Sequence, residues 1–347
     1  MVSEGQGSTS SALALSTVSQ AWSKASRPAL YTRLRFSNDY ERIRSFRERA
    51  STRSLASAHT ISLVFDDFDL GENDEDAETV ESVHACTGLV FNCTRLEDFH
   101  IYQPVEHDIL NDVPRAASAA SVPVLMQLLA CKKLQTVRLS GVHYAWNTPC
   151  PDLLQLLRRP LATVDLRSCD IDIPCRDAIL QSPHLRSLFV DDVLVTGQTD
   201  PTAVTINLPS LVEFGISARD DGEERGWSTV TLATATRQSL ETLHIEGPAS
   251  LHGLAATEAG TLFPRLHTLA LLRCGAARGS PLRLPAMPNL RHVVFNTAFT
   301  DYLAGYLVHP EFSTVESVSL TSPGARKRAK ALQEVCDQLE VELFDES

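Results

Sequence analysis

Leu185-Arg186-Ser187-Leu188-Phe189-Val190-Asp191 and Leu211-Val212-Glu213-Phe214-Gly215-Ile216-Ser217 carry apolar residues at the same first, fourth and sixth places, 26 residues apart. Alternate residues of a strand point to opposite faces, so the fourth and sixth side chains share one face and the third, fifth and seventh share the other. The pattern recurs outward in both directions. Toward the C-terminus it appears at Leu240-Leu243-Ile245, Leu266-Leu269-Leu271, Leu290-Val293-Phe295 and Val315-Val318-Leu320. Toward the N-terminus it appears at Leu161-Val164-Leu166, Leu134-Val137-Leu139 and Leu96-Phe99-Ile101, with a degenerate first copy at Ala58-Ile61-Leu63. Successive first positions are 38, 38, 27, 24, 26, 29, 26, 24 and 25 residues apart.

Such a short strand cannot bury its apolar face alone, so regular repetition implies that each copy stacks on the next as one layer of a parallel sheet. The connecting chain must then return on the other side. Apolar helical stretches suited to that return are Val122–Ala130, Pro151–Arg158 and Arg176–Gln181. Cys169 and Cys274 lie three residues beyond the last apolar strand position of their copies, where a turn residue is expected.

The motif L-x-x-L-x-L at this period resembles the leucine-rich repeat. The expected fold class is α/β: a leucine-rich-repeat solenoid over residues 55–345, of about ten irregular repeats. The resemblance implies a curved horseshoe with the sheet on the concave face and helices and loops on the convex face. A helix over Ala325–Leu339 and a strand over Glu340–Phe344 are expected to form its C-terminal cap. Arg326-Lys327-Arg328-Ala329-Lys330 reads as a solvated face of that helix.

Composition agrees with a soluble binding protein. Hydrophobic residues make up 43% of the chain, ample for a core, and no stretch approaches the roughly 20 apolar residues that span a bilayer. Lys and Arg total 31 against 43 acids, and a net charge of -12 repels polyphosphate, so neither nucleic acid nor membrane is an expected partner. The eight cysteines never approach zinc-site spacing, and the N-terminus has no basic n-region before an apolar run. A reduced compartment, cytoplasmic and/or nuclear, is expected. Asp66 to Glu78 is an acidic insertion whose Gly71 falls at the wrong place for a calcium loop. It reads as a solvated loop, or as a dock for a basic partner.

No nucleophile-elbow, phosphate-loop, dinucleotide or zinc-protease motif is present, so the chain is expected to bind rather than catalyse, with no metal or cofactor. The third, fifth and seventh residues of each copy list the partner surface. Charged and aromatic groups concentrate at Arg138, Asp165, Arg167, Phe189, Asp191, His244 and Glu246, with Phe189 read as an exposed anchor among charges. The alternative is a solvated face with Arg and Asp paired across neighbouring strands. By itself the chain is expected to be monomeric.

Before the repeats, residues 1–12 are polar and expected to be disordered. Leu15, Val18, Trp22 and Ala25 recur at helical spacing, and Leu30–Phe36 alternates like a strand. Ser16-Thr17-Val18-Ser19-Gln20-Ala21-Trp22-Ser23-Lys24-Ala25, followed by Pro28-Ala29-Leu30-Tyr31-Thr32-Arg33-Leu34, resembles the closing part of an F-box. Residues 13–36 thus resemble a partial F-box helical segment, and the chain resembles the F-box/leucine-rich-repeat proteins of the divergent fungal type. That resemblance implies that Val18, Trp22, Leu30 and Tyr31 contact the Skp adaptor of a cullin-RING ubiquitin ligase, while the repeats select a protein substrate. The opening L-P-x-E and I-x-x-x-L of an F-box do not precede Leu13. The alternative is therefore a repeat scaffold or inhibitor with no ligase link, in which Trp22 and Leu30 form a helical N-terminal cap.

Overall fold

A computed structural model describes residues 29–37, 43, 45–46, 48, 58–66, 88–91, 93–102, 121–141, 151–196, 205–217, 227, 229–247, 254, 262–272, 284–295, 307, 312–321 and 330–345. The chain forms two compact units, one of residues 1–164 and 168–175, the other of 165–167 and 176–347.

In the first unit, strands β1 (Arg33–Ser37), β2 (Ser62–Asp66), β3 (Asp98–Tyr102), β4 (Thr136–Ser140) and the start of β5 (Thr163–Arg167) follow one another in chain order. β1 to β4 pair in parallel. Helices α1 (Ser121–Ala130) and α2 (Pro151–Leu157) occupy the returns expected of them, and a short strand β6 (Asp170–Asp172) follows β5. The second unit contains α3 (Ile173–Leu180), which begins at its boundary, then β7 (Ser187–Asp191) and the short β8 (Leu194–Thr196). After these come β9 (Glu213–Ser217), α4 (Thr229–Thr236), β10 (Thr242–Glu246), β11 (Thr268–Leu272), β12 (His292–Phe295) and β13 (Ser317–Leu320). Helix α5 (Lys330–Leu339) and β14 (Glu342–Asp345) close it. Its sheet strands β7, β9 to β13 and β14 are again parallel and in chain order.

The backbone repeats with the sequence. At the second position of most copies one carbonyl accepts two amides from the next copy: Glu97 O accepts from Gln135 and Thr136, and Glu241 O from His267 and Thr268. The same fork recurs at Ile61, Gln135, Arg186, Val212, His267 and Arg291. It fixes register one repeat at a time, and register decides which side chains reach the core. Accordingly the fourth and sixth residues are buried throughout, from Leu63 and Phe65 to Val318 and Leu320. Where the chain leaves the strand, the eighth position turns left-handed, at Gly141, Ser168, Asp192 and Gly247. Glu340 is also left-handed, and the Val341 amide donates to Cys336 O, a 6→1 closure that ends α5.

Apart from the two-stranded β6–β8 sheet, twelve strands lie in the parallel ladder among the described residues, two more than the copies read from sequence. β14 is the expected cap strand. β1 is an additional repeat: Leu34 is in register with Leu63 and Phe36 with Phe65. The same register corrects the frame of the next copy. Leu63 pairs with Phe99 and Phe65 with Ile101, so its first position is Thr60, not Ala58. Thr60 is fully buried where other copies place leucine, and its hydroxyl donates to Tyr31 O at 2.9 Å, which removes the cost of burying it. An aromatic column continues this end of the core, with Phe36 on Phe65 at 6.1 Å and Phe65 on Phe99 at 6.0 Å between centroids.

Register brings out a second regularity in seven of the copies. Three residues before the leading position sits another buried residue, Cys93, Cys131, Ser182, Leu208, Phe263, Met287 or Phe312. Its carbonyl accepts from the leading amide. Cys131 Sγ lies 4.0 Å from Cys93 O, one layer below. Burial raises the thiol pKa of Cys93 to about 12 and that of Cys336 to about 11. Cys169, the expected turn cysteine, is buried with its thiol donating to Leu139 O at 3.4 Å. Cys274, residues 1–28, the acidic insertion from Asp67 onward and Ala325–Ala329 lie outside the described residues.

Thr60→Val, which keeps the shape and removes the hydroxyl, is expected to cost about 1–3 kcal/mol in urea unfolding by leaving Tyr31 O unsatisfied, and no loss would contradict the frame. The raised thiols predict a pH dependence. Unfolded cysteine ionises from its ordinary pKa of 9.0, whereas folded Cys93 holds its proton to about 12. Stability should therefore be fully present below pH 9 and fall across the interval up to pH 12. Cys93→Ala should flatten that fall in thermal melts, compared at each pH with the unsubstituted chain.

Candidate partner-binding face

The side chains opposite the core follow the parity of the strands, and β5, β7, β9 and β10 bring most of the expected residues together within the second unit. Register places Phe189 opposite Gly215, and Gly215 opposite His244. One step along, Asp191 is opposite Ser217, and Ser217 opposite Glu246. Arg138 belongs to the first unit, where it is exposed on β4 beside His100 of β3.

Asp165 departs from its expected place on the solvated surface. It is 5% exposed, and Arg167 grips it through two parallel bonds, Nε to Oδ1 at 2.9 Å and Nη2 to Oδ2 at 3.0 Å. The pair lies along a single strand, two residues apart on one face, not across neighbouring strands. The planar fork of arginine matches the two oxygens of this enclosed carboxylate and satisfies both. Hydrogen bonding to Asp165, with the charges of Asp165, Asp191 and Glu246, holds the Arg167 guanidinium above its ordinary pKa against the opposing effect of burial. The arginine side chain remains 53% exposed.

Phe189 also differs from expectation, being half-buried and not exposed. Its ring lies across the neighbouring strand where Gly215 has no side chain. A Cβ at Gly215 would fall 2.8 Å from Phe189 Cε1 and closer still to Cδ1. The ring thereby reaches the next strand but one, with its centroid 5.6 Å from that of His244 at a 53° tilt. His244 Nε2 in turn stands 3.7 Å from Glu213 Oε1, an ion pair when the imidazole is protonated. Glu213 and Gly215 were not among the residues singled out from sequence. The signal existed, a glycine at a fifth position beside a phenylalanine at the preceding one, but only register gives it meaning.

Beyond this group the face turns apolar and small, with Ala270 buried and Leu272 and Val294 half-buried on β11 and β12. Phe344 on β14 is 47% exposed. No group of His, Cys, Asp and Glu able to hold a metal ion occurs among the described residues, and no helix there is long and apolar enough to cross a membrane.

Of the residues that resemble an F-box, Val18 and Trp22 lie outside the described residues. Leu30 and Tyr31 are half-buried in a helical turn immediately before β1. Tyr31 occupies the leading position of the first repeat, three residues before Leu34. Its ring meets Phe46 at 5.8 Å and its carbonyl takes the Thr60 hydroxyl.

Gly215→Ala is expected to displace Phe189 and cost about 1–3 kcal/mol. Adding Phe189→Ala should cost far less than the sum of the two single substitutions, because the clash disappears with the ring. Additive losses in denaturant unfolding would contradict the overlap.

No family model matches the chain, and no curated protein matches it. Among solved structures, an internalin (inlF) from Listeria monocytogenes aligns over 85% of this chain and 70% of that one, at 12% identity and a TM-score of 0.30. A likeness at that level carries no argument about what this chain does.

Proposed function

We propose that this chain is a protein-binding repeat module that engages its partner through the open sheet face of the second unit. The supporting observation is the convergence there of a buried Asp165 forked by a half-exposed Arg167, an aromatic pair and acidic side chains on a parallel sheet. Sheet-borne groups whose rotamers are fixed by neighbours lose little entropy on binding. Charged and aromatic side chains of this kind are what interfaces use as anchors. No catalytic role is assigned to them.

The finer reading is a substrate-recognition subunit for a cullin-RING ubiquitin ligase, resting on the resemblance of residues 16–34 to the end of an F-box. One observation favours the other reading, a scaffold or inhibitor without a ligase link. Tyr31 already serves as the leading residue of a repeat, with its ring against Phe46, so its side chain is committed to the stack rather than to an adaptor.

Two measurements test these statements. A photo-crosslinking residue at position 246 should capture protein from cell extract, and one at position 334, in α5, should not; equal capture from both would contradict the assignment of the face. The unfused chain should not retain the Skp adaptor, and retention should appear only when a complete F-box first half is fused before residue 13. Adaptor retention by the unfused chain, lost on Trp22→Ala, would instead support the ligase reading.

A further inference from the structure

The sheet of the first unit presents a surface of its own. Register through β1–β4 sets Arg33, Ser62, Asp98 and Thr136 in the third row, and Arg35, Val64, His100 and Arg138 in the fifth. Tyr102 stands in the seventh, opposite Ser140. Among the described side chains of this face, the exposed ones are Arg33, Arg35, Tyr102 and Arg138. Asp98 is half-buried, with Oδ2 accepting from the Ser62 hydroxyl at 2.8 Å and Oδ1 buried. Counting Asp66 at the end of β2 as well, three arginines stand against two carboxylates on these four strands.

Two of those arginines have no task inside the fold. Elsewhere in this unit arginines close the backbone: Arg95 donates to Ala58 O, and Arg159 to Leu128 O and Cys131 O. Arg35 and His100 also have contacts within the chain. Arg33 and Arg138 make no hydrogen bond or ion pair among the described residues, and Tyr102 makes no hydrogen bond or ring contact there. Tyr102 and Arg138 lie on adjacent strands, two residues out of register. Strands spaced roughly 4.8 Å apart with a rise of roughly 3.3 Å per residue put them roughly 8 Å apart at the backbone. Exposed tyrosine and arginine are the residue types that serve interfaces as anchors. Arg33 is three strands away, roughly 14 Å across the sheet, a span that an extended segment covers in about four residues.

We propose that the sheet face of the first unit binds an acidic segment of a partner protein, with one carboxylate on Arg138 beside Tyr102 and a second, about four residues along, on Arg33. A guanidinium forks to the two oxygens of a carboxylate, and a phenolic hydroxyl can donate to the same group. Charge also selects the length of the occupant. The chain carries -12 overall, so a polyphosphate running past these contacts would meet repulsion. A short segment avoids it, because charges farther off than a Debye length of roughly 8 Å are largely screened at physiological salt. This surface is separate from the face of the second unit, and neither assignment depends on the other.

The test uses the full chain and a fluorescein-labelled twelve-residue peptide alternating glutamate and serine. Glutamine–serine and lysine–serine peptides and a twelve-nucleotide oligothymidylate serve for comparison, and binding is read by anisotropy. Arg33→Gln with Arg138→Gln should weaken the glutamate peptide by about tenfold, as expected for losing two charged contacts. Lys132→Gln with Lys133→Gln removes equal charge from exposed side chains in the turn before β4 and should change it by less than about twofold. Tyr102→Ala should weaken it by about fivefold, with thermal melts verifying that each variant folds. Equal weakening by the two double variants, equal affinity for the glutamate and glutamine peptides, or tighter binding of the lysine peptide would overturn the proposal. If the oligonucleotide binds and the glutamate peptide does not, the face takes phosphate and the proposal fails. Crosslinking at position 246 reports on the second unit alone, so failure here leaves that reading standing.

Discussion

Every feature of this chain depends on one limitation of its repeating unit. A five-residue strand with two inward apolar side chains has no stable way to hide them, so each copy must be completed by the copy before and the copy after. The forked carbonyl at the second position enforces this. Two amides of one repeat bind one oxygen of its neighbour at Ile61, Glu97, Gln135, Arg186, Val212, Glu241, His267 and Arg291, so a register slip there would break two bonds and expose a full core layer together. Burial of each leucine contributes about 1.5–3 kcal/mol, but only in that register. The residue identities at the core are therefore negotiable while the spacing is not.

That tolerance explains the irregular ends. Thr60 replaces a leucine because Tyr31 O lies where its hydroxyl can donate, and Tyr31 itself serves as a leading residue because Phe46 covers it. At the other end Glu340, outside the strand, stands in the corresponding place and instead terminates α5 in a left-handed turn. Cysteine fits the layer below the leading position for the same reason. It is small, apolar and able to approach a carbonyl, as Cys131 does over Cys93.

The L-x-x-L-x-L motif exposed the fold class, the parity of each strand and the placement of α1, α2 and α3, because these follow from local periodicity. It misplaced the copy at Ala58 by two residues, since no leucine marks Thr60, and parity survived only because the shift was even. For the same reason it does not mark β1 as a repeat, although Leu30–Phe36 alternates like a strand. The candidate face was legible as a list and illegible as an arrangement. Arg167 and Asp165 were both named, yet their pairing along one strand depends on burial of Asp165. Phe189 was named as exposed, yet its resting place depends on Gly215, a residue of another strand. Glu213 gains significance only through His244, which stands diagonally from it. Cross-strand relations of this kind require register, which single-sequence periodicity does not contain.

The most direct test of repeat-by-repeat coupling is residue-resolved amide hydrogen exchange. The Ile61 amide, which donates to Thr32 O at 2.9 Å, occupies the same place in the ladder as Glu97, which donates to Ile61 O at 2.8 Å. If residues 29–37 form a true repeat, Ile61 should be protected, with protection lost together with that of Leu63 and Phe65 as denaturant rises. An Ile61 amide that exchanges at the rate of an unstructured chain, while Glu97 and Gln135 stay protected, would contradict the account.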